Sequence, residues 1–393
     1  MASPLAYLDE TLAQLKADGL YRSLRELQGE QLPRARFDGR DVINLSSNNY
    51  LGLTTHPKLH EAAIQSIREL GVGSGSVRTI AGTMELHLRL ERRIAEFKKT
   101  EAAVVFQSGF AANAGTVSSL LGKGDVIFSD ELNHASIIDG ARLSRADIKV
   151  FAHRDVDALE RLLMETKGAP RRLVITDGVF SMDGDIAPLP GIAAAARRHG
   201  AIMMVDDAHA SGVLGRAGRG TVDHFDIHGQ VDVQVGTLSK AIGLLGGYVC
   251  GSRSLIEYLY HRARPFLFST SHPPAVAAAC LAAFDVLEQE PERIERLWAN
   301  TRHFKAGLSR LGFDTGLSET PITPILVGDA ELAMKFSDRL FERGIFAQGI
   351  GFPTVAKGKA RLRTIVTATH TSEDLDRALT IIGDTGRALG VIH

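Results

Sequence analysis

Two short segments set the chemistry open to this chain: IMMVDDAHASG, with Asp206 and His209, and VGTLSKAIGLLGGY, with Lys240. A lysine amine condenses with an aldehyde, and a carboxylate keeps a heteroaromatic ring nitrogen protonated, so that the ring withdraws electrons from a neighbouring carbanion. Apart from Lys240, VGTLSKAIGLLGGYVCG holds no charged residue, and a desolvated setting of this kind eases loss of the ammonium proton. Together these features read as an enzyme that uses pyridoxal phosphate on an amino acid. Asp206 or Asp207 can face the ring nitrogen, or either can be an ordinary polar group at a strand end. His209 can donate to the cofactor's phenolic oxygen or be a core histidine.

Other segments supply the remaining contacts such a cofactor needs. VVFQSGFAANAG passes from a strand through Ser108, Gly109 and Phe110 into a helix, offering free amides and a positive dipole end to a phosphate. His134 in DELNHASIIDG can stack on a flat ring or cap a helix. Ser181 in TDGVFSMDGDIAPL can bond the ring or serve turn chemistry. In ARLRTIVTATH, Arg361 and Arg363 share one face of a strand, and either can clamp a carboxylate. Zinc-protease, Cys-x-x-Cys, phosphate-loop and Gly-x-Ser-x-Gly motifs are absent from the sequence, and no metal site is expected.

The elements that must position these residues follow from the apolar patterning. Seven short runs, AAVVFQS, DVIFSD, KVFAH, RLVITDG, IMMVDD, VQVGTL and GGYVCG, alternate with helical stretches. They predict an α/β fold with a mostly parallel seven-stranded sheet covered on both faces. Ligands in such sheets collect beyond the carboxyl ends of the strands, where Gly109, Asp206, Thr237 and Lys240 all fall. The texture divides the chain into an N-terminal helix and extension (1–45), a large α/β domain (46–287) and a smaller α+β domain (288–393). The final helix should begin at Thr371, whose hydroxyl can cap free amides beside Glu373 and Asp374.

Composition narrows the class. With 45 Lys+Arg against 46 Asp+Glu, the chain lacks the basic stripe that tracks nucleic acid, so no nucleic-acid partner is expected. Leu5, Leu8, Leu12 and Leu15 mark an amphipathic helix rather than a targeting segment. No stretch approaches the roughly 18 continuous apolar residues of a membrane span, and Cys250 and Cys280 read as core thiols of a reducing compartment. A soluble cytoplasmic enzyme without a membrane partner is the expectation.

These segments, with NLSSNNYLGLTTHP, GSGSVRTIAGT and RPFLFSTS, resemble the α-oxoamine synthases, the CoA-dependent acyltransferases among fold-type I pyridoxal phosphate enzymes. The likeness spans nearly the whole chain and favours Asp206 over Asp207. It implies that Lys240 holds the cofactor and later moves the α-proton, that Asp206 pairs with the ring nitrogen, that His209 contacts the ring oxygen, and that His134 stacks. It places Ser108, Gly109, Phe110 and Thr237 near the phosphate, Ser181 at the ring, Asn48 and Arg363 at the amino acid carboxylate, and Arg22 and Thr354 near the acyl group. Ser269 and Thr270 would reach the phosphate of a partner subunit, which implies a homodimer with shared sites.

Within the family, SVRTIAGT and TDGVFSMDG are more similar to members that condense glycine with acetyl-CoA, so glycine C-acetyltransferase activity is the first expectation. GDIAPL, VDDAHASGVLG and GFAANAG resemble at least as much the members that join alanine to a pimeloyl thioester in biotin synthesis, which is the alternative, and both activities in one chain are a further option. An aminotransferase or a non-catalytic partner subunit on the same fold stands behind these.

Overall fold

A computed structural model describes residues 3–17, 21 and 24–393. All seven expected strands form, and they join in one sheet in the order 102–106, 247–251, 233–237, 202–206, 172–177, 126–130, 147–151. Six run parallel; Gly247–Gly251 alone is antiparallel to both neighbours.

Alternate residues of one strand feed opposite cores, as the period of two requires. Val104 and Phe106 pack in the cluster with the helix Gly109–Leu120, while Ala103 and Val105 pack in the cluster with the helix Glu85–Lys98. Both faces being covered, central strands such as Val126–Asp130 and Val233–Thr237 are buried throughout. Each fully buried valine or isoleucine there contributes about 1.5–3 kcal/mol of transfer free energy. The edge strand Asp147–Phe151 is exposed along four of its five residues and carries Asp147 and Lys149, charges that discourage further pairing.

The C-terminal region forms an antiparallel sheet in the order Ile322–Gly328, Ala360–Ile365, Gln348–Ile350. It packs with the helices Glu292–Arg310, Ala330–Glu342 and Ser372–Ala388. The last starts as expected: Thr371 Oγ1 accepts from the Asp374 amide at 3.1 Å, and the Asp374 carboxylate accepts from the Thr371 amide at 3.1 Å. The N-terminal extension joins this region, because Arg40–Asn44 pairs in parallel with Ile345–Phe346. The helix Tyr7–Ala17 buries none of its residues, so Leu5, Leu8 and Leu12 stand exposed. Among the described residues no helix is long and apolar enough to cross a membrane.

Behind the central strands lies a fully buried ion pair. Lys98 Nζ donates to Asp207 Oδ2 at 2.8 Å, with both side chains at 0% exposure, and also to the Arg219 carbonyl at 2.6 Å. Burial alone would lower the Lys98 pKa, but the Asp207 charge more than offsets it and holds the ammonium above its ordinary value. Gly220 makes the arrangement possible, since a Cβ there would lie 2.0 Å from Asp207 Oδ2 and 2.6 Å from Lys98 Nζ. Replacing Lys98 with Ala strands a buried carboxylate, and chemical denaturation of this variant should show a loss of about 3–5 kcal/mol.

Candidate active site

The carboxyl ends of the parallel strands bring the chemistry to one cleft. Asp206 ends its strand 4% exposed; Asn113 Nδ2 donates to its Oδ2 at 2.6 Å, and the Ala208 amide to its Oδ1 at 2.8 Å. Asp177 lies level with Asp206 on the adjacent strand. Burial, then the Asp206 charge, raise the Asp177 pKa well above the ordinary carboxylate range.

Lys240 follows the strand Val233–Thr237. Its amine makes no hydrogen bond or ion pair among the described residues. Burial, assisted by the Arg363 charge and opposed by Asp206 and Asp177, lowers its pKa to about 8. His209 is pushed well below the ordinary imidazole value by burial and by the charges of Lys240, Arg363 and His134, so its ring is neutral. Tyr50 Oη lies 2.8 Å from His209 Nδ1. With Tyr50 donating to that nitrogen, the proton of the neutral ring sits on Nε2.

His134 caps the helix Ala135–Ser144, its Nδ1 accepting from the Ser136 amide at 3.2 Å, while its own amide donates to Asp177 Oδ2 at 2.9 Å. The residue as a whole keeps exposed surface, while partial desolvation of its ring lowers the His134 pKa, with Asp206 opposing and Lys240 assisting. Both sequence readings of this residue are therefore compatible: the backbone-side nitrogen caps, and the ring face is open.

Ser108 caps the helix Gly109–Leu120 by accepting from the Ala111 amide at 3.0 Å. The amides of Gly109 and Phe110 have no intrahelical acceptor. A Cβ on Gly247 would lie 2.3 Å from the Ser108 carbonyl oxygen, so only glycine lets the antiparallel strand approach this turn. A Cβ on Gly109 would meet Thr237 at 3.3 Å, which puts Thr237 at the same turn. Thr237 Oγ1 donates to the Gly246 carbonyl at 2.8 Å and lies 2.7 Å from Ser239 Oγ.

The two alternative pairs in the sequence separate cleanly. Asp207 is consumed by Lys98 and by the Thr221 amide at 3.1 Å, which leaves Asp206 for the cleft. Arg361 bonds the Met182 carbonyl at 3.1 Å and the Asp183 carboxylate. Arg363 instead touches Asn48 Oδ1 at 3.3 Å and gives its Nε to the Ser181 carbonyl at 2.6 Å. It borders a cavity of about 280 Å³ shared with Ser46, Ser47, Gln348 and Ile350.

Other expected residues are less central. Thr270 accepts through its carbonyl from Gln107 Nε2 at 2.8 Å, beside Ser108, and Ser269 is half-buried next to it. Thr354 stands on an exposed turn with its amide bonded to the Gly351 carbonyl at 3.0 Å. Arg22 lies outside the described residues. Three participants escaped the sequence reading: Asn113, Tyr50 and the pairing role of Asp177. The one available signal was a lone amide, Asn113, inside the small apolar run FAANAG.

The chain matches the aminotransferase class I and II family over residues 40–382. The 8-amino-7-oxononanoate synthase of Symbiobacterium thermophilum is 64% identical over 387 residues, covering 98% of this chain and 99% of the relative. 8-Amino-7-oxononanoate synthase 1 of Bacillus subtilis is 56% identical over 392 residues, covering 100% of both. Among solved structures, Sphingomonas wittichii serine palmitoyltransferase superposes with a TM-score of 0.95 at 34% identity, covering 100% of both chains. The 8-amino-7-oxononanoate synthase of Francisella tularensis gives 0.77 at 30% identity, covering 88% of this chain and 98% of that one. The chain belongs to the α-oxoamine synthases.

As an α-oxoamine synthase it is a pyridoxal phosphate-dependent acyltransferase of fold-type I. The residues present fit the cofactor. Among the described residues, a lysine amine without a bonded partner, a carboxylate oriented by Asn113 and a helix start with free amides all follow the carboxyl ends of strands in one sheet. The buried Asn113 Oδ1 has no hydrogen-bond partner among the described residues, as expected of a group at the edge of a ligand site. The relatives bear the name 8-amino-7-oxononanoate synthase, which matches the alternative expectation rather than glycine C-acetyltransferase, the first one.

An amine of pKa about 8 is half neutral some two pH units below an ordinary lysine. Acylation of Lys240 in cofactor-free protein, followed by peptide mass spectrometry across pH, should therefore show a midpoint near pH 8 rather than near pH 10.

Proposed function

We propose that this α-oxoamine synthase joins L-alanine to a pimeloyl thioester, releasing carbon dioxide and the free thiol. Near end-to-end identity to proteins named 8-amino-7-oxononanoate synthase carries this reading. The product's own skeleton identifies the amino acid: an amine beside a ketone and a terminal methyl are what alanine leaves after losing its carboxylate. Likeness of shape supports the family but not the substrate, since serine palmitoyltransferase superposes as closely as any structure here.

Pyridoxal phosphate supplies an electron-withdrawing ring that stabilises a carbanion at the amino acid α-carbon. Lys240 would hold the cofactor through its Nζ, and the same amine is placed to accept the substrate's α-proton. Its lowered basicity suits both tasks, because a neutral amine is the nucleophile and the base. Asp206, oriented by Asn113, would keep the ring nitrogen protonated, and neutral His209 would donate to the ring oxygen. His134 would stack on the ring, and Ser181 would bond it. The amides of Gly109 and Phe110, left free beside the Ser108 cap on Ala111, would take the phosphate with Thr237. Arg363 and Asn48 receive the α-carboxylate. Ser269 and Thr270 of a second copy complete the phosphate site in a homodimer, and Arg22 and Thr354 meet the acyl group. A cytoplasmic setting accords with the two free, buried cysteines.

A matrix of glycine, alanine and serine against acetyl-CoA, pimeloyl-CoA and palmitoyl-CoA, read as free thiol, tests the reading. Alanine with pimeloyl-CoA should lead, with glycine disfavoured by about 10- to 200-fold, the range one methyl group commands in a fitted pocket. A lead for glycine with acetyl-CoA would restore glycine C-acetyltransferase activity, and no thiol release with any pair would sink the synthase reading. Arg363→Gln should raise the KM for alanine roughly 10- to 100-fold, as loss of a charged hydrogen bond implies, with little change in cofactor absorbance.

A further inference from the structure

Outside the cleft, one histidine sits between two buried acids that root separate parts of the site. His153 lies just past the edge strand Asp147–Phe151. Its Nδ1 is 3.0 Å from Asp130 Oδ1 and its Nε2 is 2.8 Å from Asp185 Oδ2. The acids are 0% and 2% exposed, the histidine 19%. Both nitrogens meet carboxylates, so the ring bonds both as a donor only when it is protonated.

Each acid anchors a turn. Asp130 ends its strand and bonds the Leu132 amide at 2.9 Å through Oδ1 and the Arg154 amide at 2.9 Å through Oδ2, and its carbonyl accepts from the Asn133 amide at 3.2 Å, which leads directly to His134. Asp185 closes the turn that carries Ser181: its carbonyl accepts from the Phe180 amide at 3.1 Å, and the Phe180 carbonyl from the Gly184 amide at 2.8 Å. The Phe180 ring packs edge-on to His153 at 4.3 Å between centroids. Two loops distant in sequence therefore share one cationic crosspiece.

We infer that His153 is a positioning residue, a protonated strut that holds the His134 turn and the Ser181 turn at their working separation on the cofactor. The inference rests on the assignment of His134 and Ser181 to the cofactor ring. The charged groups facing the imidazole are Asp130 and Asp185; around them, Glu131 Oε1 accepts the His153 backbone amide at 3.0 Å, Arg154 lies 3.3 Å from Asp185, and Glu319 lies 3.8 Å from Arg154. Burial opposes its charge, but hydrogen bonds to Asp130 and Asp185 prevail and raise its pKa to about 9. Because the folded value lies above the unfolded one, about 6.5, the stability the strut contributes is fully present below about pH 6.5 and is lost as pH rises through about 9.

The test compares the full-length protein with His153→Gln, Asp185→Asn and the double variant. Pyridoxal phosphate affinity is measured by absorbance titration across pH, and melting temperature is measured without the cofactor. Each single variant should bind the cofactor about tenfold more weakly at pH 7, the order expected when loops misplace a contact by a fraction of an ångström. The double variant should be no worse than either single one. The fall in affinity centred near pH 9 should be present in the unaltered protein and absent from His153→Gln, while any change owed to Lys240 persists in both. Cofactor affinity within twofold of the unaltered protein, whatever the melting temperature does, would overturn the inference, as would additive losses in the double variant. Failure of the underlying assignment shows separately, as normal cofactor binding by His134→Ala and Ser181→Ala.

Discussion

Taking an ionised group out of water costs several kcal/mol unless it is paired and hydrogen-bonded, and this cleft gathers many such groups at the ends of adjacent strands. Asp177 and Asp206 stand side by side, with Lys240, His209 and Arg363 in electrostatic range. The arrangement holds because charges of opposite sign interleave and neutral partners take up what remains. Asn113 spends its donors on Asp206 and Ser136, Tyr50 meets His209, and Asp177 receives the His134 amide. Among the described residues the Lys240 amine is left without a bonded partner, and the same desolvation that makes this costly lowers its basicity toward the range where it can react.

Duplicate residues divide their labour across the site. Of the two neighbouring acids, one is locked to Lys98 in the core while the other faces the cleft. Of the two strand arginines, Arg361 ties the Asp183 turn to the C-terminal sheet while Arg363 reaches Asn48. The turn from Phe180 to Asp185 is thereby gripped from several directions. Arg361 and Arg363 hold it from one side, Thr320 holds the Gly184 carbonyl at 2.8 Å, and His153 holds Asp185. Since this turn carries Ser181, the C-terminal region braces the residue proposed to bond the cofactor ring.

Shape and substrate part company in this family. Serine palmitoyltransferase of Sphingomonas wittichii matches the fold almost completely at 34% identity, so the layered sheet and its strand-end cleft serve members with differently named substrates. Function follows from the site carried by the fold. What separates members must lie in the side chains that border the cleft, such as those around the cavity next to Arg363.

Much was readable from residue order alone. The seven strands, the parallel sheet, the helix start at Thr371 and the reaction class built on Lys240 all came from local signals: buried strands are continuously apolar, caps use short-range chemistry, and a lysine in a run without other charge is locally anomalous. Which of Asp206 and Asp207 faces the cleft was not readable from alternation, because a strand buried on both faces loses the pattern that would assign sides; the family likeness favoured Asp206, and the physical reason is Lys98, far upstream in the chain, which holds Asp207 in the core. The same holds for Arg361 against Arg363, for Asn113 beneath Asp206 and for His153 between Asp130 and Asp185. Each depends on a partner brought close by sheet order and crossover helices, a distance in space that spacing along the chain does not encode.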